Sequence, residues 1–158
     1  MLLRRPAPGD IALIDRLHRD PVACAHNPGD MLGAPGEAAE RFRAWDEHWR
    51  RHGFGYHVVC ADDGTAVGFC GLKVMRLAGR DVRNLFYRLD PAVWGRGLAT
   101  RAATTVVAGA DGRLPVVARV RPANAASARV AIGAGLERAP HLDTAGEDGP
   151  DEIYARNW

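Results

Sequence analysis

The sequence has few cysteines, and their arrangement excludes several classes of protein. Cys24, Cys60 and Cys70 are odd in number and include no Cys-x-x-Cys pair, so neither a disulfide framework nor a zinc or dithiol motif is indicated. We expect three free, mostly buried thiols. The chain also lacks an apolar run of the roughly 20 residues that a membrane-spanning helix needs. Its first residues, MLLRRPAPGD, lack the apolar segment of a signal peptide, which predicts a cytoplasmic protein with no membrane partner.

A strong excess of either charge is missing as well. Lys and Arg number 21 against 19 Asp and Glu, and a formal net charge of +2 is too small to favour nucleic acid as a partner. His48 and His52 lie four residues apart on a predicted helix, but the string EHWRRH is not the zinc motif His-Glu-x-x-His. No third ligand follows at an informative spacing. We therefore expect no metal site.

The composition that remains is that of an ordinary globular protein. The chain has 158 residues, of which 47% are hydrophobic and 25% are charged. These values allow a hydrophobic core and lie far from the composition of disordered chains. Because two cores would each be too small at this length, we expect a single domain over residues 1–158.

Apolar spacing and turn residues predict the order of secondary structure. A first helix follows Asp10 as its N-cap, and apolar residues at helical spacing between Ala38 and Trp49 predict an amphipathic second helix. Asp63-Gly64 predicts a hairpin turn between two β-prone runs. The other predicted elements are strands at 2–5, 82–89, 114–120 and 152–158, and helices at 98–110 and 124–134. The chain therefore has the pattern of a mixed α/β (α+β) sheet.

The stretch LDPAVWGRGLATRA carries the most chemical information. A strand ends at Leu89 and a helix begins near Leu98, with Gly95 and Gly97 on either side of Arg96. The glycines allow close approach of the backbone, while the free N–H groups of the first helical turn, the helix dipole and the guanidinium all favour phosphate oxygens. A pyrophosphate is the expected ligand. The alternative is that the glycines only form a tight turn.

Two common phosphate-binding motifs are excluded. No Gly-x-x-x-x-Gly-Lys-Ser/Thr string is present, so the chain is not a P-loop nucleoside triphosphatase. A dinucleotide fingerprint would need glycine where Thr100 stands and an acidic residue about twenty positions later, and the segment 116–121 supplies none.

At the level of motifs, the chain resembles the GCN5-related N-acetyltransferase (GNAT) family and its RimJ/RimL-like branch. WGRGLAT is similar to that branch's Trp-Gly-Lys/Arg-Gly-x-Ala-Thr/Ser pyrophosphate loop. VRPANAASARVAIGAGL is similar to the family's strand, Asn-x-x-Ser and helix, and YARNW to its last strand. The resemblance implies a mostly antiparallel sheet of six to seven strands with helices on both faces. It also implies a central parallel pair of strands that splay apart, here 82–89 and 114–120.

The resemblance further implies an acetyl-CoA site in the gap between those strands. The backbone around Leu89 would pair with the pantetheine arm in the manner of an added strand. Asn124 would donate to the same arm, although it can also be the N-cap of its helix. Ser127 would face the thioester sulfur and relay a proton to the departing thiolate, or else be a small residue that allows close packing. The implied cofactor-binding set is Leu89, Trp94, Gly95, Arg96, Gly97, Leu98, Ala99, Thr100, Asn124 and Ser127, with Ser127 as the catalytic candidate.

The reaction that the resemblance implies is direct attack of a primary amine on the thioester, without an acyl-enzyme, so the cysteines are not expected to act as nucleophiles. The sequence departs from the family pattern at two positions. Asn84 stands where many relatives carry a glutamate that helps deprotonate the amine, and Ala131 stands where several branches carry a tyrosine acid. An amine with a pKa near 8 needs little help to become neutral, which makes a strong base optional.

The acceptor is left open by the sequence: a peptide N-terminus, an amino acid or a small amine would each fit. The loop 27–36, the second helix and the region 139–150 are expected to select it. The departures at Asn84 and Ala131 keep a second hypothesis open, a sensor or interaction module that binds acetyl-CoA or CoA without turnover. A third hypothesis is an acidic partner for the arginines at 41, 43, 50 and 51. The resemblance also implies that the chain can form a homodimer.

Overall fold

The computed structural model describes all residues, 1–158. Its twelve helices and strands follow the predicted order, with two additional short strands near the end of the chain. The elements are β1 Leu2–Arg4, α1 Ile11–Arg19, α2 Glu37–His52, β2 Tyr56–Cys60, β3 Ala66–Leu77, β4 Arg80–Leu89, α3 Leu98–Ala108, β5 Val116–Val120, α4 Ala125–Gly133, β6 Glu137–Arg138, β7 Thr144–Gly146 and β8 Gly149–Arg156. None of the helices combines the length and apolar character needed to cross a membrane.

The strands form one mixed sheet in the order β1-β2-β3-β4-β5-β8-β6, and β7 pairs with β8. Every neighbouring pair is antiparallel except β4 and β5, which are parallel. The predicted architecture is confirmed, although eight strands are present rather than six or seven. The difference is β6 and β7, which have two and three residues and are too short for a period to be read from sequence.

The parallel pair separates soon after it begins. β4 and β5 are in register only at Arg83↔Val116 and Asn84↔Val117. The Arg83 N–H donates to Pro115 C=O at 2.8 Å, just before β5. Beyond Asn84 the two strands diverge, and this opens the predicted V-shaped gap in the middle of the sheet.

Helices cover both faces of the sheet, as the resemblance implies. On one face α3 and α4 pack over a cluster that includes Leu85, Leu89, Ala102 and Val116. On the opposite face α1 and α2 enclose a second cluster that includes Ile14, Leu17, Trp45 and Phe69. Trp45 packs edge to face on Phe69 with ring centroids 5.0 Å apart, which fixes α2 on β3.

The boundaries of several elements differ from prediction for local reasons. β4 begins two residues earlier, because Ala78 and Gly79 form a left-handed turn that joins it directly to β3. β5 begins at Val116 rather than Leu114, since Pro115 has no N–H for a ladder. β8 covers 149–156 rather than 152–158, because β7 and β8 form a hairpin that starts the strand early.

The N-cap prediction for Asp10 is wrong. The residue precedes α1, but its carboxylate makes no hydrogen bond to that helix. It accepts instead from both terminal nitrogens of Arg4, at 2.8 and 2.7 Å, and from the Ala7 N–H at 2.8 Å. A bidentate guanidinium 6 residues earlier therefore outcompetes the helical N–H groups for this carboxylate.

His18 provides a pH-dependent test of the core between α1 and the sheet. Its side chain is fully buried, with Nδ1 2.8 Å from Ile14 C=O and the rings of Trp45 and Phe86 on either side. Burial, together with the nearby Arg88 guanidinium, lowers the pKa of His18 to about 4. The unfolded chain therefore binds more protons than the folded protein between pH 6.5 and about 4, and stability falls as the pH falls through that window.

For this single group we expect a loss of about 2 kcal/mol of unfolding free energy between about pH 7.5 and about pH 5. The measurement is urea unfolding of the wild type and of His18→Gln at both pH values. Burial also lowers the pKa values of His48 and His57, so the difference between the two proteins isolates His18. An equal loss in the variant would show that His18 is not the group responsible.

Candidate active site

The loop between β4 and α3 has the geometry of an anion site. Asp90 ends the strand, and its carboxylate accepts from the Ala92 N–H at 2.9 Å to start a short turn. Gly95 and Gly97 then take left-handed conformations with φ of 76° and 73°. A Cβ at either glycine would meet no protein atom within 4 Å, so the space in front of both residues is open. Leu98 is buried and anchors the first turn of α3.

Six consecutive backbone N–H groups of this loop, from Gly95 to Thr100, have no acceptor in the protein. The first N–H of the helix that finds one belongs to Arg101, which donates to Gly97 C=O at 3.0 Å. Arg96 is exposed and forms no ion pair. The predicted set of free donors and one free guanidinium is thus present at the N-terminus of an 11-residue helix.

The backbone of β4 borders this loop and faces the gap. Because Arg83 turns its N–H toward β5, the alternating pleat turns the backbone groups of Tyr87 and Leu89 to the same side, where β5 has already diverged. The prediction for Leu89 needs one correction. Its C=O is not free, since it accepts from the Trp94 indole N–H at 2.9 Å. The free edge therefore consists of both backbone groups of Tyr87 and the N–H of Leu89.

Asn124 and Ser127 lie at the start of α4, across the gap from β4. The Asn124 side-chain oxygen accepts from the Ser127 N–H at 3.0 Å, so Asn124 is the N-cap of α4. Its amide nitrogen has no partner and stays available as a donor. Both proposed uses of this side chain are therefore compatible, because the cap uses the oxygen and a ligand would use the nitrogen.

Tyr87 is a further functional candidate, outside the set of residues that the motifs imply. Its hydroxyl oxygen is buried and makes no hydrogen bond of normal geometry, although the Ser127 side chain lies close enough to influence it. Burial raises the pKa of Tyr87 to about 12, and the Ser127 hydroxyl acts in the opposite direction. A protonated, unpaired hydroxyl thus stands beside Ser127 at the edge of the gap. The alternation of residues along β4 predicts the face on which the Tyr87 side chain lies. Only the tertiary structure shows that its hydroxyl has no hydrogen-bond partner.

A cavity of about 650 Å³ opens on the other face of the sheet, under α2. Its inner end is flanked by Asn84 and Phe86 of β4, by Arg119 of β5 and by Arg121 just after β5, so the cavity reaches the strands where they part. The Asn84 side-chain oxygen is buried without a hydrogen-bond partner. The walls include aromatic residues, and the outer part is lined by charged ones. The wall residues that sequence analysis did not identify include His18, Tyr56, Arg119, Arg121, Asp148 and Asp151.

Nucleophilic cysteine and bound metal have no support in the geometry. All three cysteines are buried and free, and burial raises the pKa values of Cys24 and Cys70. No group of three or more His, Cys, Asp or Glu side chains is arranged to hold a metal ion.

Comparison with known proteins gives the family. The family model described as "Acetyltransferase (GNAT) domain" matches residues 1–137, which is most of the chain. The chain belongs to the GNAT acetyltransferase family. This GNAT protein is accordingly an acyltransferase that depends on acetyl-CoA. No match is found among curated proteins.

Solved structures share the GNAT fold over almost the whole chain. An acetyltransferase from Agrobacterium tumefaciens is 24% identical, with 98% of this chain and 88% of that chain covered and a TM-score of 0.78. A phosphinothricin acetyltransferase from Sinorhizobium meliloti, solved with acetyl-CoA, is 19% identical over 98% and 86% of the two chains, with a TM-score of 0.74. The spermidine N-acetyltransferase from Vibrio cholerae, solved with CoA and spermine, is 14% identical over 98% and 94%, with a TM-score of 0.75.

Proposed function

We propose that this protein is an N-acetyltransferase that moves an acetyl group from acetyl-CoA to a primary amine by direct attack in a ternary complex. The observation that carries the proposal is the row of six unpaired N–H groups from Gly95 to Thr100, at the mouth of the gap between β4 and β5. The site for a diphosphate lies on one side of the gap between β4 and β5, and the cavity for an acceptor lies on the other side. The two sites therefore meet at these strands.

The residues present fit the two ends of acetyl-CoA. The N–H groups of Gly95–Thr100 and the Arg96 guanidinium would hold the pyrophosphate by charge-assisted hydrogen bonds. The free backbone groups of Tyr87 and Leu89, with the Asn124 amide nitrogen, would bind the amides of the pantetheine arm. When bound, acetyl-CoA supplies an acetyl group activated as a thioester.

The acceptor amine would enter from the cavity and meet the gap at Asn84. The unpaired side-chain oxygen of Asn84 is placed to accept from an amine N–H and so to orient the nitrogen. Asn84 cannot remove a proton at neutral pH, and His18 is enclosed by aromatic rings. The acceptor amine must therefore lose its proton to water before it attacks the thioester.

Protonation of the departing thiolate is assigned to the opposite side of the gap. Ser127 is the residue that would face the sulfur, and the buried Tyr87 hydroxyl is the neighbouring proton-bearing group. In this arrangement Ser127 relays to the thiolate the proton that the attacking nitrogen loses as the C–N bond forms and the C–S bond breaks, and the neighbouring Tyr87 would orient the Ser127 hydroxyl once acetyl-CoA is bound.

The proposed function is tested by release of free CoA thiol from acetyl-CoA in the presence of a panel of amines. We expect thiol release that depends on the amine and matches formation of the acetylated product by mass spectrometry. The same preparations are titrated with acetyl-CoA by calorimetry. Binding of acetyl-CoA without acceptor-dependent release across peptides, amino acids and polyamines would support the sensor module and contradict the transferase.

We also propose a RimJ/RimL-like assignment within the family, because WGRGLAT and the Asn124-x-x-Ser127 block resemble that branch. The whole of residues 1–158 is proposed to act as one domain, since β8 completes the sheet after residue 137. A cytoplasmic location and a homodimer remain proposals of the same kind. An acidic partner for α2 is disfavoured, because Arg41, Arg50 and Arg51 already pair with carboxylates of this chain.

A further inference from the structure

The charges that line the acceptor cavity do not cancel. Six carboxylates line it, against the cationic side chains of Arg41, Lys73, Arg119 and Arg121. The carboxylates are Asp30, Glu37, Glu40, Glu147, Asp148 and Asp151. The lining therefore carries two more negative than positive charges, six against four, with His18 neutral.

Each arginine of the cavity pairs with a carboxylate of this chain. Arg119 and Arg121 both pair with the buried Asp151, at 3.0 Å each, and Arg121 also lies 3.7 Å from Asp148. Asp30 is shared by Arg41, at 3.1 Å, and the buried Arg88, at 2.8 Å. Each of these guanidinium groups therefore already has a carboxylate partner, although the terminal nitrogens of Arg119, which pairs through Nε, remain free.

The negative charge that remains is at the rim. Glu40 and Glu147 form no ion pair and no hydrogen bond within the protein, and both are exposed. Glu37 accepts from the N–H groups of Gly33 and Ala34, at 2.6 and 3.1 Å, which lowers its pKa and keeps it ionised. Lys73, the cation of the lining without an ion pair, lies on β3 directly opposite Asn84 and not among these glutamates.

The inner end of the cavity is suited to an amine and its alkyl chain. Trp45, Tyr56 and Phe86 form an aromatic wall, with the rings of Tyr56 and Phe86 5.0 Å apart. Beside them the buried side-chain oxygen of Asn84 has no donor within the protein. This unsatisfied acceptor is a second observation, independent of the rim, that points to an N–H-bearing ligand.

We propose that the acceptor is a diamine or polyamine, whose reacting amine lies at Asn84 while a second ammonium group lies at the rim formed by Glu37, Glu40 and Glu147. The inference rests on the proposed function and narrows it, because it disfavours amino acids and other acceptors that carry a carboxylate. Exposed carboxylates contribute mainly by attracting and orienting a cation, so the effect is on kcat/KM and depends on salt.

Three acceptors of matched length test the proposal: putrescine, n-butylamine and γ-aminobutyrate carry a positive, neutral or negative group at the far end. We expect kcat/KM to fall in that order. At low ionic strength putrescine should exceed butylamine by about tenfold, well beyond the twofold that its two equivalent amines give. The advantage should shrink as added salt shortens the Debye length.

Two charge-neutralising variants assign the effect to the rim. Glu40→Gln combined with Glu147→Gln should remove most of the preference for putrescine over butylamine. Glu137→Gln removes an exposed, unpaired carboxylate outside the cavity and should keep the full preference. Calorimetric binding of CoA verifies that each variant is folded and active in cofactor binding.

The outcomes separate the two proposals. If kcat/KM for butylamine or γ-aminobutyrate equals or exceeds that for putrescine, the transferase stands and the polyamine inference is overturned. A preference for putrescine that survives in the rim double variant overturns the assignment to these glutamates. If none of the amines is acetylated although acetyl-CoA binds, the proposed function itself fails, and the inference fails with it.

Discussion

Replacing Gly97 with valine is expected to weaken acetyl-CoA binding by about a hundredfold or more. The residue has a φ of 73°, and a Cβ added to it would have no protein atom within 4 Å, so the new side chain would occupy the open space that the free N–H groups face. Losing two charge-assisted hydrogen bonds to phosphate costs about 3 kcal/mol, which corresponds to that factor. The measurement is calorimetric titration with acetyl-CoA.

The strain of a valine with positive φ needs a control, because it lowers stability wherever it is introduced. Gly112, in the turn after α3, has a φ of 74° and also has nothing within 4 Å of an added Cβ. Gly112→Val should therefore lower the melting temperature by a similar amount while binding acetyl-CoA normally. Unchanged affinity in a folded Gly97→Val protein would show that the glycines only form a tight turn.

Removing the hydroxyl of Ser127, the only serine of the chain, is expected to lower kcat by about tenfold to a hundredfold. Affinity for CoA should change little, because the cap contact at this residue is made by its backbone N–H and not by its hydroxyl. The comparison is the kcat and KM of Ser127→Ala against wild type with one good amine. Ser127→Thr keeps a hydroxyl and should recover most of the rate.

Tyr87→Phe extends the same test to the neighbouring group. If Tyr87 acts by orienting Ser127, its loss should lower kcat several-fold in wild type and have little further effect in Ser127→Ala. The KM for acetyl-CoA should be unchanged in both backgrounds. An unchanged kcat in Ser127→Ala would show that Ser127 has only a packing role. If the losses of kcat in Ser127→Ala and Tyr87→Phe are additive in the double variant, Tyr87 does not act through Ser127.

The phosphate loop could be predicted from sequence because its determinants are local. Two glycines around Arg96, a strand before them and a helix after them are enough to specify a turn with outward N–H groups. The N-cap role of Asn124 could be predicted for the same reason, because an N-cap depends only on the capping residue and on the N–H group three residues later.

Features that depend on the meeting of distant segments could not be predicted. The hydroxyl of Tyr87 ends up buried without a partner beside α4. This outcome does not follow from spacing, because it depends on how β4 separates from β5. The acceptor cavity is of the same kind, since α2, the loop before it and the β7–β8 hairpin come from three distant parts of the chain.

His18 shows a signal that sequence analysis could have used. It follows Ile14 by four positions and Leu17 by one, on the apolar side of α1, which is where a buried histidine with a local carbonyl partner is expected. Asp10 shows the opposite case. Its sequence pattern is that of an N-cap. However, β1 places Arg4 beside it, and the Arg4 guanidinium binds the carboxylate in place of the N–H groups of α1.

A crystal structure of the protein with acetyl-CoA is the most direct test of the central claim. We predict phosphate oxygens within about 3 Å of backbone nitrogens in the segment 95–100, with the pantetheine arm between β4 and α4. Diphosphate bound anywhere else, or a loop whose N–H groups turn to acceptors of the protein itself, would contradict the account.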